Sequence, residues 1–413
     1  MKKKKKKKSG KNSRVTNASV KALSVTLSML CIICLVLNMP IVAYTDSRTK
    51  ETDNISIISF FKKWKPLVDV EGELSRTSVS DINTDIVTPD FSDGLDLPQI
   101  VEGQYTVLFL GFDEDGLNHD VNWIFQFDIA KAKLNILQIP RDTFMGADGT
   151  YASVATGKFN SVYSHNSSAG SPIQSVVNAV QDNFGIPIDA YVTTNCYDIV
   201  NMVDLVGGIP ITLDQQMMYE ADKVIPAGYS VLTGEQAEWF VRYRRTFRDE
   251  GDIGRVKNQR KFLAAAMTKM MNIISDEGRT KFYSYLKKIY DNQYILTDMS
   301  IEDISKIADL ASTIDMSNVN VFLLPGEGAD YYPPDYVPSS DNPPSSVWSV
   351  HKQAALDLIN ENFRPYQLDM GIYNSALTEL VTDYLNVSND NASDNLQDIQ
   401  EGDQKTEMLD DYN

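Results

Sequence analysis

One uncharged apolar segment near the N-terminus limits the architectures open to this chain more than any other feature. The segment spans residues 22–44 and follows ten cations with no acid among them, which are Lys2 to Lys8, Lys11, Arg14 and Lys21. As a helix it would be about 34 Å long, which is enough to cross a hydrocarbon core of about 30 Å. Because cytoplasmic flanks are enriched in Lys and Arg, the pattern predicts a transmembrane helix at 22–44, with residues 1–21 in the cytoplasm and the rest outside.

A cleaved signal peptide is the alternative interpretation of this segment. The apolar region of a signal peptide is shorter, roughly 7–15 residues, and a small-x-small cleavage site follows it. Here the apolar run is longer, and Ile41-Val42-Ala43-Tyr44 is a poor cleavage site. The sequence therefore favours an uncleaved single-pass anchor in the cell membrane.

Charge and cysteine content narrow the function of the part outside the membrane. The chain carries −18, the ten N-terminal cations contribute +10, and the remainder therefore carries −28. Such an acidic domain is a poor partner for nucleic acid, which favours basic patches. Outside the apolar segment the only cysteine is Cys196, so no disulfide within this domain is expected, which suits a bacterial surface protein better than a eukaryotic secreted one.

Composition divides the extracytoplasmic part into three regions. Residues 45–101 are mixed and polar and are interpreted as a linker or stalk. A folded domain is expected over residues 102–370. Residues 371–413 are rich in Asp, Asn and Gln and are predicted to be an acidic, disordered tail.

The domain alternates apolar runs with helical patterns. Strands are predicted at 105–110, 121–129, 133–139, 188–194 and 318–324. Helices are predicted at 172–184, 197–206, 233–247, 252–275, 280–290, 300–313 and 346–363, with Thr233 and Gln236 placed to form a capping box. This alternation predicts an α/β class with a single layered α/β/α domain around a mixed central sheet.

Arginine is the residue type that suggests chemistry. Residues 240–260 contain Arg242, Arg244, Arg245, Arg248, Arg255, Lys257 and Arg260, a cationic group within an acidic domain. The planar guanidinium binds phosphate through two parallel hydrogen bonds, so an anionic phosphate ligand is one hypothesis. The alternative is a solvated helix C-terminus whose cations complement the helix dipole and pair with Asp249 or Glu250.

Two shorter segments place further polar groups near strand ends. Pro140-Arg141-Asp142-Thr143 directly follows the predicted strand at 133–139, and ligands of α/β sheets bind where strands end. Gly157-Lys158-Phe159-Asn160 offers another cation and an amide in a loop. Each segment taken alone is equally compatible with an ordinary surface turn.

Together these segments resemble the LytR-CpsA-Psr family, also called the cell envelope-related transcriptional attenuator domain. The matching segments appear in family order at 110–113, 139–143, 158–160, 185–189, 203–209, 232–237, 241–244 and 252–255. The resemblance implies an enzyme that transfers a glycopolymer, such as teichoic acid or capsule, from a polyprenyl-pyrophosphate lipid to peptidoglycan. It also implies a hydrophobic tunnel for the prenyl chain.

The same resemblance assigns roles to individual residues. It implies that the pyrophosphate is clamped by Arg141, Arg242, Arg244 and Arg255, with Lys158, Asn160 and Gln259 adding contacts to the substrate. Asp142 or Asp252 would orient arginines, and one carboxylate would act as base. Asp113 and Asn122 would hold Mg²⁺, which stabilises the leaving phosphate.

The sequence departs from the family pattern at the expected metal site. The usual Arg-x-Asp becomes Asp120-Val121-Asn122, and the usual Asp-x-Arg becomes Asp113-Glu114-Asp115. An alternative function is therefore a catalytically impaired relative that binds polyprenyl-phosphate lipid or cell wall glycan. The older domain name suggests transcriptional regulation, but the predicted topology and the −28 charge argue against contact with DNA.

Overall fold

The computed structural model describes the main domain from residue 103 and a short segment before it. The described residues are 40–45, 52–56, 103–129, 131–146, 157–165, 172–244, 251–332, 337, 344–366, 368–385, 387, 390 and 393–401. Residues 22–39 of the predicted membrane helix, and most of the predicted linker, lie outside them. Residues 40–44, the end of the predicted helix, are extended in strand β1 (Pro40–Thr45), which pairs with β2 (Thr52–Ser56). Within the described part of the chain, no helix has both the length and the apolar character needed to span a bilayer.

The main domain contains both strands and helices throughout its length. The strands are β3 (Gln104–Phe112), β4 (His119–Asp128), β5 (Lys133–Gln138), β6 (Ala190–Asn195), β7 (Ile209–Leu213), β8 (Met217–Glu220), β9 (Lys223–Ile225), β10 (Gly228–Leu232), β11 (Leu296–Thr297), β12 (Val319–Leu323), β13 (Gly326–Tyr331), β14 (Ser345–Val350) and β15 (Ser393–Asn395). The helices are α1 (Val162–His165), α2 (Pro172–Phe184), α3 (Cys196–Leu205), α4 (Gly234–Arg242), α5 (Gly251–Asp276), α6 (Arg279–Asp291), α7 (Ile301–Thr313), α8 (Lys352–Asn362) and α9 (Leu396–Glu401).

A seven-stranded mixed sheet forms the centre of the domain. Its strand order is β11-β6-β3-β4-β5-β12-β15. Strands β3, β4 and β5 form an antiparallel meander, whereas β6 lies parallel to β3 and β12 lies parallel to β5. The mixed central sheet predicted from the sequence is therefore confirmed.

Helices cover both faces of this sheet because successive side chains of a strand point to opposite sides. On one face, Leu108 and Leu110 pack in a core with Val180 of α2 and Leu356 of α8. On the other face, Val107 packs in a second core to which α5, α7 and α9 contribute. This arrangement gives the three layers expected from the alternating sequence pattern.

A third apolar cluster lies around two small antiparallel ribbons. One ribbon pairs β7 with β10 and the other pairs β8 with β9. Their buried residues pack with α3, α4 and α6, and with Ile273 near the end of α5. Helix α4 begins with the predicted capping box, in which Thr233 and Gln236 bond to each other's backbone.

The C-terminal part differs from the prediction in two places. Residues 346–350, expected to begin a helix, lie in β14, which pairs with β13, and the helix begins only at Lys352. Part of the segment predicted as a tail packs against the domain: β15 extends the central sheet, and Leu396 and Ile399 are fully buried. Asp394 forms an ion pair with the buried Arg260 at 2.6 Å, so this arginine of the cationic segment has a structural partner.

Candidate anion-binding site

The sheet topology brings several loops to one edge. Phe112, at the end of β3, is paired with both His119 at the start of β4 and Asn195 at the end of β6. Gln138, at the end of β5, is paired with Trp123 of β4. The loops that follow β3 and β5 therefore lie at the same edge, where ligands of α/β sheets bind.

Two of the predicted arginines meet at this edge around one carboxylate. Asp120 Oδ1 accepts a hydrogen bond from Arg141 Nη1 at 2.7 Å, and Asp120 Oδ2 lies 3.5 Å from Arg255 Nη1. The charge of Arg244 also acts on Asp120. These three arginines are called the arginine cluster below.

Electrostatics within the cluster keep Asp120 ionised. Burial disfavours the charged form, but the charges of Arg255 and Arg141 and the hydrogen bond from Arg141 outweigh burial. The pKa of Asp120 is therefore held below its ordinary value. The Arg255 side chain is 4% exposed, so its charge has little water to solvate it and depends on such partners.

A second ion pair joins the loop after β5 to the loop that contains Lys158. Lys158 Nζ lies 3.1 Å from Asp142 Oδ1, and Arg141 Nε lies 3.7 Å from the same oxygen. The backbones of the two loops are also bonded, because Asn160 N donates to Arg141 O at 2.9 Å. Asp142 thus pairs with two cations, and Asn160 contributes its backbone to this arrangement.

Arg242 lies at the end of α4 and pairs with two other carboxylates. Its Nη1 donates to Glu238 and, at 2.8 Å, to Glu114 of the loop that precedes Asp120. Burial disfavours the charge of Arg242, but the hydrogen bonds to Glu238 and Glu114 raise its pKa above the ordinary value. The predicted partners Asp249 and Glu250 lie outside the described residues.

Two other predicted site residues, Gln259 and Asp252, lie on α5. Gln259 is 5% exposed, and its amide donates to Val241 O at 3.5 Å, so it connects α5 to α4. Asp252 lies in the first turn of α5, and its side chain is outside the described part of the structure.

The predicted magnesium ligands, Asp113 and Asn122, both have other hydrogen-bond partners. Asp113 Oδ1 accepts from the backbone of Leu117 and Asn118, and its Oδ2 accepts from the Asn118 amide at 2.9 Å. Asn122 is 1% exposed, its Oδ1 contacts His119 Nδ1, and its amide donates to Ile139 O at 3.3 Å. Among the described residues, no group of three His, Cys, Asp or Glu side chains is arranged to hold a metal. These two side chains do not fit a resident Mg²⁺, and the metal stays an expectation of the resemblance.

Several residues at this edge were not assigned by sequence reasoning. Asp120 was recognised only as a departure from the family pattern, and its two arginine partners are more than 20 and 130 positions away in the sequence. Glu114 and Glu238 were not singled out, although Glu238 lies one helical turn before Arg242. His119 is fully buried, and desolvation lowers its pKa to about 4, so it is neutral at pH 7. Only the position of this histidine beside Asp120 could have drawn attention to it.

The fold and the edge cluster together define an α/β domain with a candidate site for an anion. Guanidinium groups held by partly buried carboxylates are suited to phosphate, because they are fixed in direction before the ligand arrives. The chain belongs to the LytR_cpsA_psr family, whose family model matches residues 74–355.

Individual relatives agree with this assignment. Biofilm regulatory protein A of Streptococcus mutans is 25% identical over 246 residues, which are 55% of this chain and 58% of that protein. The polyisoprenyl-teichoic acid–peptidoglycan teichoic acid transferase TagU of Bacillus licheniformis is 27% identical over 202 residues, which are 48% of this chain and 61% of that protein. The chain thus spans about three fifths of the length of these curated relatives.

A solved structure has a similar fold. The crystal structure of protein gbs0355 from Streptococcus agalactiae aligns with a TM-score of 0.51 at 20% identity, over 67% of this chain and 93% of that one. At this identity the likeness concerns the fold alone.

Proposed function

We propose that this protein transfers a teichoic-acid- or capsule-like glycopolymer from a polyprenyl-pyrophosphate lipid to peptidoglycan. The observation that carries the proposal is the convergence of Arg141 and Arg255 on one anionic group at the ligand-binding edge of the sheet. Membership of the family and the transferase name of the Bacillus relative support it. Phosphoryl transfer depends on positioning and charge stabilisation more than on a strong nucleophile, and this site offers both.

The reaction requires one bond to form and one to break at phosphorus. The oxygen of a peptidoglycan hydroxyl attacks the phosphorus next to the sugar, the bond to the bridging oxygen breaks, and polyprenyl phosphate leaves with the bonding electrons. The hydroxyl proton passes to a carboxylate, Asp142 or Asp252, and from there to water. The arginine cluster neutralises the oxygens of the pyrophosphate, while Asp142, which also pairs with Lys158, fixes the direction of Arg141.

The location of the donor gives a reason for the predicted anchor. A polyprenyl-linked donor stays in the bilayer, so an enzyme that uses it gains from attachment to the same surface. Residues 22–44 are proposed to supply that attachment, with the family domain outside the cytoplasm. Fusion of reporter enzymes to the C-terminus tests this topology, and activity of a cytoplasm-specific reporter would contradict it.

The experiment for the activity uses the full-length chain in detergent with a polyprenyl-pyrophosphate glycan and peptidoglycan. The expected result is release of polyprenyl phosphate together with covalent attachment of the glycan. Arg141→Ala should lower the rate by about 10²-fold or more, as removal of one preorganised donor does in other enzymes. Arg279→Ala is the matched control. Arg279 lies at the start of α6, pairs with Asp309 of α7 and belongs to no part of the proposed site. The reaction run with and without added Mg²⁺ tests the expectation of a metal.

The second candidate function is a binding protein for the same lipid or glycan without turnover. Asp120 and Asn122 favour it, since a charge-reversed residue and an amide stand where the family has arginine and a carboxylate. Binding of the lipid donor with no release of polyprenyl phosphate, with or without Mg²⁺, would select this function. Absence of both binding and release from a folded chain would contradict both candidates.

A further inference from the structure

The carboxylate of Asp120 has a position that a ligand phosphate would also need. It lies between the terminal nitrogens of Arg141 and Arg255, at 2.7 and 3.5 Å from its two oxygens. A phosphate that bonded to both arginines would place two of its oxygens in the same way. The anion position of the arginine cluster is therefore filled by a residue of the chain itself.

We propose that Asp120 is an internal counter-ion, which holds Arg141 and Arg255 in place until a pyrophosphate displaces it. This proposal rests on the proposed function, because it concerns the ligand of the same site. It assigns Asp120 the role of a specificity-determining residue, because an uncharged side chain at position 120 would not compete with the ligand.

The exposures of the three side chains allow such an exchange. The Asp120 side chain is 26% exposed and that of Arg141 is 20% exposed, so the carboxylate has water beside it into which it can turn. The Arg255 side chain is only 4% exposed, and a buried guanidinium without an anion is strongly destabilising. Asp120 supplies an anion beside Arg255 when no ligand is bound, and a bound phosphate would take over that role.

Competition with Asp120 favours ligands of high charge. A pyrophosphate carries more negative charge and more acceptor oxygens than a carboxylate, whereas a single phosphate has a smaller advantage. In the proposed reaction the donor contains a doubly esterified pyrophosphate, with four non-bridging oxygens on two phosphorus atoms, and the leaving polyprenyl phosphate has three such oxygens on one phosphorus. The donor can therefore meet Arg141 and Arg255 with separate phosphates, whereas the product competes with Asp120 through a single phosphate.

The proposal predicts opposite effects of one substitution on stability and on binding. Asp120→Asn removes the charge that competes with the ligand, so inorganic pyrophosphate should bind about tenfold tighter or more. This is the change expected when the ligand no longer has to replace the charge-assisted hydrogen bond between Arg141 and Asp120. The same variant should melt at a lower temperature without ligand, because Arg141 and Arg255 each lose an ion pair, and added pyrophosphate should raise its melting temperature more than that of the wild type. A residue that merely positions the arginines would lose binding and stability together.

The experiment is isothermal titration calorimetry of the full-length chain in detergent, with inorganic pyrophosphate and inorganic phosphate as probes and EDTA present. The matched control is Asp115→Asn, which removes the same charge from an exposed residue of the neighbouring loop. It should change the affinity by no more than about twofold, because an exposed charge is screened. The affinity ratio of pyrophosphate to phosphate should fall in Asp120→Asn.

Weaker binding of pyrophosphate by folded Asp120→Asn would overturn the proposal while leaving the anion site intact. If neither the wild type nor this variant binds pyrophosphate although both are folded, the proposed function fails with it. If Asp120→Asn does not fold without ligand, the test is whether the variant refolds in the presence of pyrophosphate. Recovery of the folded state supports the internal counter-ion, and failure to recover contradicts it.

Discussion

The buried ion pair between Arg260 and Asp394 allows a sharp prediction about the C-terminal segment. The two side chains are 2% and 0% exposed, and Arg260 Nη1 lies 2.6 Å from Asp394 Oδ2. Arg260 belongs to α5, the helix that also holds Arg255, and Asp394 belongs to β15 at the edge of the sheet. The pair therefore joins the end of the chain to the helix that supplies part of the arginine cluster.

We expect Asp394→Ala to lower the free energy of unfolding by about 3–5 kcal/mol, because it leaves the Arg260 guanidinium buried without its counter-ion. For a domain of roughly 300 residues, whose unfolding entropy is about 0.6 kcal/mol per kelvin, this loss lowers the melting temperature by about 5–8 °C. The assay is urea unfolding of the full-length chain followed by tryptophan fluorescence, with thermal melting as a second measurement.

Two further variants separate the ion pair from other causes. Asp383→Ala removes an exposed acid of the same C-terminal region and should change stability by less than about 0.5 kcal/mol. Burial lowers the pKa of Arg260 despite Asp394, so desolvation outweighs the attraction between the two charges. The double variant Arg260→Met with Asp394→Leu should therefore return to within about 2 kcal/mol of the wild type. The reasoning is refuted if Asp394→Ala is no less stable than Asp383→Ala.

Two more predictions concern the surroundings of the candidate site. Burial lowers the pKa of His119 from 6.5 to about 4. Between pH 6.5 and about 4, the unfolded state therefore binds a proton at His119 and the folded state does not. Stability should therefore be complete above pH 6.5 and fall by up to about 3 kcal/mol as the pH falls to 4, and urea unfolding of His119→Gln should show a smaller loss over the same range. Gly157 has a φ of +66°, and a Cβ there would lie 2.7 Å from Phe144 Cε2. Gly157→Ala should cost at least about 1–2 kcal/mol and, by moving Lys158, weaken pyrophosphate binding. Gly278 has a φ of +87°, and a Cβ there would meet no atom within 4 Å, so Gly278→Ala should lower stability without changing pyrophosphate binding. Equal pyrophosphate affinities in the two variants would contradict the role of the Lys158 loop in binding.

Much of the secondary structure follows from the sequence because it is encoded locally. Helix α2 begins and ends where the apolar periodicity predicts, and the capping box at Thr233 sets the start of α4. The short ribbons β7–β10 were missed, since their alternation is brief and their burial depends on helices distant in sequence. The sequence predicts a helix from residue 346, but residues 346–350 form a strand because β13 pairs with them.

The sequence predicts which residues form the candidate site, and the fold decides how those residues are arranged. The sequence by itself determined the cationic segments and their order, and through the resemblance it pointed to Arg141, Arg242 and Arg255 as residues of one site. Only the tertiary structure decided which carboxylate each arginine meets, because ion pairs depend on where strands and helices end in space. The fold places Asp120 beside Arg141 and Arg255. It pairs Arg242 with Glu114 and Glu238.

The same distinction applies to the end of the chain. Its acidic and polar composition predicted a disordered tail, since composition reports only the average tendency of a segment to bury apolar surface. Three side chains, Asp394, Leu396 and Ile399, find their partners on the sheet and on α5, and that local complementarity holds β15 and α9 against the domain. The sequence determined which residues are available for contact, and the tertiary structure decided which contacts are made, because packing joins residues that no local pattern relates.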